Sequence, residues 1–234
     1  MTAPIIHRVT TLDLIVRSQA WPFAQERHAE IAAHFAEKQR ERPKLWNGRV
    51  LIGRDPVVDQ DRFAASYFET DFASFLAWRD WGFPDKAVFN GFGMGALRAS
   101  DGAFVLGVMG EHTANAGRIY FPSGTPDLDD VKDGALDIPG SVVREIEEET
   151  GLTAADYQAE AHWHCVVSGP AIALIRVLDL KLPGDAIRDR IEANLAAQEH
   201  PELAGIHLVY GSGDLTPTMP RFVTAFIEQQ FAAR

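Results

Sequence analysis

The segment DIPGSVVREIEEETGL, residues 137–152, constrains the fold more than any other part of the sequence, because both of its ends are specified. Asp137 is a good N-cap, and Pro139 falls in the first turn, where its missing N–H costs nothing. Gly151 is the natural C-terminal stop. On the helix this predicts, from about Ile138 to Thr150, Glu145, Glu148 and Glu149 are three and four residues apart and share one face. Val142 and Ile146 form an apolar stripe beside them. Like charges at this spacing cost about 0.2–0.5 kcal/mol per pair in an isolated helix, so something should offset them. Arg144, four residues before Glu148, neutralises part of the cluster. A hard divalent cation such as Mg²⁺, which prefers carboxylate and water oxygens, would neutralise the rest. By spacing alone, a solvated acidic face is the commoner explanation.

The surrounding sequence alternates strands with helices. An extended segment at Ile5 to Val16 precedes a helix at Phe23 to Glu41 that Pro43 ends. Strands are expected at Leu45 to Arg54 and Arg62 to Thr70, separated by a turn at Arg54-Asp55-Pro56, then a short helix at Asp71 to Trp81. VFNGFGMGALRAS, the turn Asp101-Gly102 and AFVLGVMG read as a hairpin. An extended stretch at Arg118 to Pro122 leads into a Gly, Pro and Asp-rich loop from Ser123 to Leu136, ahead of the acidic helix. After it come strands at Tyr157 to Val167 and Ala171 to Leu180, a helix at Asp185 to Gln198, a strand at Ile206 to Tyr210 and a last helix at Pro220 to Ala232. The order implies α/β or α+β packing in layers. A main domain at 88–234, with residues 1–87 as an N-terminal αβ extension, is the expected organisation.

Charge and cysteine usage limit the partners. Lys plus Arg number 22 against 33 Asp plus Glu, a net charge of −11 that repels the backbone of a long nucleic acid but leaves a small phosphorylated substrate open. Cys165 is the only cysteine, so no intrachain disulfide forms, and a cytoplasmic setting is expected. The start of the chain lacks a long apolar core with a basic flank, and no long apolar run occurs, so neither an export signal nor a membrane span is expected.

Residue order is more specific than spacing. REIEEETGL resembles the second half of the Nudix box, Arg-Glu-apolar-x-Glu-Glu-x-Gly-apolar, at every specified position. The resemblance extends from Val88 to the C-terminus and implies a Nudix fold, a mixed β-sheet between helices. It also implies Mg²⁺ or Mn²⁺ as cofactor and hydrolysis of a nucleoside diphosphate linked to another group. By resemblance Glu145, Glu148 and Glu149 match the metal-ligand positions, and Arg144 matches the arginine that orients them. The general base varies within the family; Glu202 and Glu199, in AAQEHPELAGI, stand at about the expected distance downstream, with Glu202 favoured because it precedes an apolar strand entry. The first half of the box departs from the pattern. Leu136 stands where its glutamate belongs, and Gly124 best matches the opening glycine, which makes the loop about six residues longer than usual. Asp130, or its neighbours Asp129, Asp133 and Asp137, would replace the missing carboxylate, and Gly124 and Asp130 are candidate substrate contacts.

The resemblance favours nucleotide sugars or ADP-ribose-like compounds over triphosphates, with a homodimer compatible. A Nudix fold kept as a non-catalytic nucleotide-binding or regulatory module is the alternative, disfavoured by the intact glutamates. Trp46, Tyr67, Trp78, Trp81, Phe92 and Tyr120 are candidates to stack on a base, although most aromatics at such positions are core. Gly91-Phe92-Gly93-Met94-Gly95 lacks phosphate-loop spacing and reads as a strand with close neighbours. His162 and His164 share a strand face, but no third ligand adjoins them in the sequence, so buried or site-rim histidines are expected. Cys165 reads as a buried thiol.

Overall fold

A computed structural model describes residues 3–233. Thirteen strands join through hydrogen bonds into one mixed sheet, with six α-helices around it. Its centre is β5 (Val88–Arg98), which pairs in parallel with β12 (Ala171–Leu180) and antiparallel with β3 (Arg49–Asp59) and β6 (Phe104–Met109). Beyond β12 lie β11 (Trp163–Ser168) and β1 (Ile5–Val9). Beyond β3 lie β4 (Arg62–Asp71) and β2 (Thr11–Val16). The extended N-terminal segment therefore serves both sides of the sheet, β1 at one edge and β2 toward the other. No helix among the described residues is long and apolar enough to cross a membrane.

Alternation along β5 sorts the layers. Gly91, Gly93 and Gly95 point to one face, and α4 (Ile138–Thr150) packs onto it. A Cβ at Gly93 would meet Val142 Cγ2 at 2.6 Å, and one at Gly95 would meet Ile146 Cδ1 at 2.4 Å. The glycines are thus a flat seat for the apolar stripe of the acidic helix. Phe92 and Met94 point to the other face, where Phe92 meets Phe222 of α6 (Arg221–Ala232) edge-on at 5.5 Å. The sheet lies between helices, as expected.

The first 87 residues share the sheet and core. Val9, Leu14, Leu51, Phe63 and Tyr67 belong to the same buried cluster as the residues of β5, β12 and α4. A second cluster joins Trp21, the N-cap of α1 (Pro22–Glu26), to Phe23, Ile31, Phe35, Phe68, Phe75 and Trp78, from α1, α2 (His28–Glu41), β4 and α3 (Phe72–Asp80).

Three local expectations are corrected. Arg54-Asp55-Pro56 is a bulge inside β3, where the pairing with β4 shifts register, and the chain reverses after Asp59, where Gln60 takes a left-handed φ of 52°. Pro56 read as a turn because proline lacks a ladder donor, yet a bulge tolerates it. The stretch from Tyr157 to Val167 is two strands, β10 (Tyr157–Ala159) and β11, both paired with β12. The expected loop from Ser123 to Leu136 contains a small ladder, β8 (Val131–Lys132) and β9 (Ala135–Leu136), whose Ala135 pairs with Ile15 of β2.

Candidate active site

Helix α4 is placed as its sequence specifies. The Asp137 side chain accepts from Gly140 N at 3.0 Å, and Gly151 closes the helix with a left-handed φ of 70°. With Val142 and Ile146 pressed on the glycine face, the next strip of the helix carries Glu145 and Glu149 along the seam with the loop after β7 (Ile119–Tyr120). Glu149 is 3% exposed, and Ser123 N donates to its Oε1 at 3.2 Å. Its Oε2 is buried with no hydrogen-bond partner. Glu145 lies against Gly124, where a Cβ would sit 2.3 Å from Oε1, so a side chain there would push the carboxylate aside. Glu148, one residue away, is exposed.

Arg144 ties this helix to the loop. Its Nη2 lies 2.9 Å from Asp130 Oδ1 and 3.1 Å from Glu145 Oε1. Asp130 is 4% exposed, and its other oxygen accepts from Asp127 N at 3.2 Å. Asp130 thus backs Arg144 and is not among the residues that line the cavity, whereas Gly124 is. Leu136, where the box pattern has a glutamate, is buried in the core.

The electrostatics show which acids meet. Burial pushes Glu149 up to about 9, with the charges of Glu202 and Glu145 adding to the shift. Burial likewise pushes Glu145 up to about 7, against the pull of Arg144, with Glu148 and Glu202 raising it further. Glu202, exposed at the entry to β13 (Leu203–Val209), is within electrostatic reach of both buried glutamates, and its carbonyl accepts from Gly110 N at 2.8 Å. Glu199 is exposed in the turn after α5 (Gly184–Ala197). Strand β13 begins at Leu203, three residues earlier than the sequence suggests, which is what brings Glu202 to the sheet end.

A cavity of about 380 Å³ opens beside the carboxylates, with Ser123, Gly124 and Tyr120 shared between the two. Burial raises the Tyr120 phenol, and the charges of Glu149 and Glu202 add to that effect. Of the six aromatics singled out in the sequence, Trp78, Phe92 and Tyr120 line this cavity. Tyr67 is core, Trp46 is 81% exposed, and Trp81 stacks under Arg27 at 4.2 Å. Sequence reasoning missed Phe75 and Arg79 on α3, Asn90 on β5, Arg118 before β7, and Phe222 on α6. They converge from four distant segments, and no local pattern marks them. Asn90 Oδ1 is buried with no partner.

Whether these acids suit a divalent cation is answered by Glu149. A buried carboxylate with one unpartnered oxygen and three neighbouring carboxylates has too much negative charge for its protein partners, and oxygen-rich sites of this kind are what Mg²⁺ or Mn²⁺ takes. The residues fit. Among the described residues, the set of three metal-ligating side chains whose ligand atoms lie within 4.8 Å of one another is a different one: Glu160, His162 and His164. The expectation that no third ligand adjoins the histidines is thereby corrected. Glu160 lies two residues before His162, hidden because the segment between β10 and β11 is an irregular corner that the sequence reading treated as continuous strand.

No protein-family model matches the sequence, and no curated protein does. Solved structures do resemble it. A Nudix hydrolase from M. smegmatis, RenU, shares 17% identity over 63% of this chain and 89% of its own, with a TM-score of 0.40. The MutT protein from Methanosarcina mazei Go1 shares 18% over 62% and 94%, with a TM-score of 0.36. A bifunctional NMN adenylyltransferase/ADP ribose pyrophosphatase from Francisella tularensis shares 14% over 68% of this chain and 46% of that one, with a TM-score of 0.42.

Proposed function

We propose that this chain is a metal-dependent Nudix-type hydrolase that splits a phosphoanhydride bond in a nucleoside diphosphate joined to a second group, with nucleotide sugars and ADP-ribose-like compounds ahead of triphosphates. The observation that carries the reading is the buried, half-partnered Glu149, set among Glu145, Glu148 and Glu202 at the edge of an aromatic cavity. When bound, a Mg²⁺ or Mn²⁺ ion held by Glu145, Glu148 and Glu149 supplies charge neutralisation on the phosphates and lowers the pKa of a water.

The protein's own groups do the rest. Arg144, anchored on buried Asp130, holds Glu145 in place and keeps part of the acidic charge compensated. Ser123 N–H fixes one oxygen of Glu149 and leaves the other for the cation. Glu202 is the base that takes the proton of the attacking water, from outside the helix and within electrostatic reach of both buried glutamates. Arg79 and Arg118 in the cavity wall offset phosphate charge in an otherwise acidic protein. Phe75, Trp78, Phe92 and Phe222 give flat apolar surfaces for a planar group, and Asn90 Oδ1 offers it an acceptor. Residues 1–87 serve the reading as an accessory layer, since α3 supplies Phe75, Trp78 and Arg79.

A panel of nucleotide sugars, ADP-ribose, dinucleotides and nucleoside triphosphates, assayed with Mg²⁺ and with Mn²⁺, tests the proposal. Metal-dependent release of a nucleoside monophosphate is expected. Tight nucleotide binding with no turnover across the panel would replace the hydrolase with a nucleotide-binding module.

A further inference from the structure

A second group of ligating side chains lies outside this site, at the corner between β10 and β11. His162 Nε2 is 3.2 Å from His164 Nε2 and 3.2 Å from Glu160 Oε2. The three ligand atoms are all within 4.8 Å of one another. Ligands about 2.0–2.1 Å from a tetrahedral ion stand about 3.3–3.4 Å apart, so both close pairs already have the length of a coordination edge.

The proton inventory of the cluster is tight. Arg8 Nη2 lies 3.0 Å from His162 Nδ1, and a guanidinium only donates, so in the neutral ring Nδ1 accepts and Nε2 carries the hydrogen. That single hydrogen points into the space shared with Glu160 Oε2 and the lone pair of His164 Nε2. Gln230 of α6 approaches the same His164 nitrogen at 3.5 Å. The other oxygen of Glu160 is taken by Arg98 Nη2 at 2.8 Å, which aims Oε2 at the histidines, and Arg98 is itself held in bidentate fashion by Asp179. One proton thus sits where three ligand atoms converge, with a carboxylate already oriented from behind.

We propose that Glu160, His162 and His164 bind a borderline transition-metal ion of the Zn²⁺ class, with water or Gln230 in the fourth position. Two imidazoles and one carboxylate favour such an ion over Mg²⁺, which distinguishes this site from the all-carboxylate centre on α4. Solvent reaches the cluster from the outer side, where the side chains of His162 and Glu160 are 13% and 23% exposed, while buried His164 closes the inner side. Binding is a tautomer exchange: the hydrogen on His162 Nε2 leaves, Nδ1 takes one up, and exposed Arg8 swings into solvent. Arg8 is therefore a gatekeeper that competes with the metal. The ion would brace α6, since His164 packs on Phe226 at 5.1 Å and Gln230 lies a turn beyond, while Phe222 at the other end of that helix lines the cavity.

The test titrates Co²⁺ into the full chain, free of any affinity tag, with excess Mg²⁺ occupying the α4 carboxylates, and reads the visible d–d absorption; Zn²⁺ then competes. One equivalent of Co²⁺ is expected, with the intense bands of a four- or five-coordinate nitrogen and oxygen site, displaced by Zn²⁺. His162→Ala and His164→Gln should each weaken binding about tenfold or more, and Arg8→Gln should tighten it about tenfold. Arg8→Gln leaves the core untouched, so the test survives if the buried His164 variant fails to fold. Glu149→Gln should leave the bands in place. The proposal is overturned if neither the natural chain nor Arg8→Gln shows the bands, if His162→Ala keeps them at unchanged affinity, or if Glu149→Gln removes them.

Discussion

The carboxylates of α4 and the histidine corner beside β11 are both dense groups of titratable side chains, and they resolve their crowding in opposite ways. Around Glu149 the protein supplies one backbone donor and one arginine, Arg144, for four acids, and a buried oxygen is left without a partner. Around His162 every close contact joins a donor to an acceptor, with Arg8, Arg98 and Glu160 closing the network. The first arrangement is costly until a cation arrives, and the second is complete with a proton. A buried acid left with an unmet oxygen suits a ligand that brings positive charge, whereas satisfied polarity is something a ligand must enter by displacement.

The comparison breaks first on activity. Glu148→Gln or Glu149→Gln should lower turnover by orders of magnitude, about 10²-fold or more, with folding intact by circular dichroism, because each removes a proposed metal ligand. Near-normal rates in both variants would mean that the crowded acids are not the reactive centre.

A second effect separates the two groups by pH. Glu145 and Glu149 have folded values of about 7 and about 9, raised from an ordinary 4.5, so the stability they confer is fully present below pH 4.5 and is lost as pH rises through those values. His164 is pushed down to about 4 from 6.5 by burial, then by His162 and the charges of Arg8 and Arg98, so its contribution is lost as pH falls below 6.5. In chelator the two limbs overlap between pH 4.5 and 6.5, where two glutamates outweigh one histidine, so melting temperature should fall as pH rises from about 5 to 9. Glu149→Gln should flatten the alkaline limb and His164→Gln the acid one, with shifts of about 2–4 °C for each kcal/mol. Mg²⁺ should raise the melting temperature more at pH 8 than at pH 5. A profile in which either variant moves both limbs equally would erase the distinction.

The smallest effect concerns the seat of the acidic helix. Gly93→Ala places a methyl 2.6 Å from Val142 Cγ2 and 2.8 Å from Ile138 Cγ2, and should cost about 1–3 kcal/mol by denaturant titration. It should also lower turnover, since α4 must lift and carry its glutamates with it. A stable variant with normal turnover would show that α4 tolerates displacement.

Some of this was legible residue by residue. Asp137, Pro139 and Gly151 are local signals, and the helix they bound occupies the span the sequence specifies. Glycines at alternate positions of β5 read as close packing, and the structure shows what they pack against. The Arg54-Asp55-Pro56 turn failed because a bulge and a turn share the same residue types, and only the pairing of β3 with β4 separates them. Asn90, Arg79, Arg118 and Phe222 left no trace in the sequence, because a cavity wall assembled from separate segments has no period or spacing.

By itself the sequence determined the acidic helix, its two ends and the carboxylates on one face, since capping and the 3.6-residue repeat act over a single turn. Only the tertiary structure decided that Glu149 is buried with an unmet oxygen, that the charge of Glu202 reaches it from the entry to β13, and that Asp130 pairs with Arg144. Burial and charge meeting across long stretches of chain are properties of packing, and they convert a row of glutamates into a candidate site.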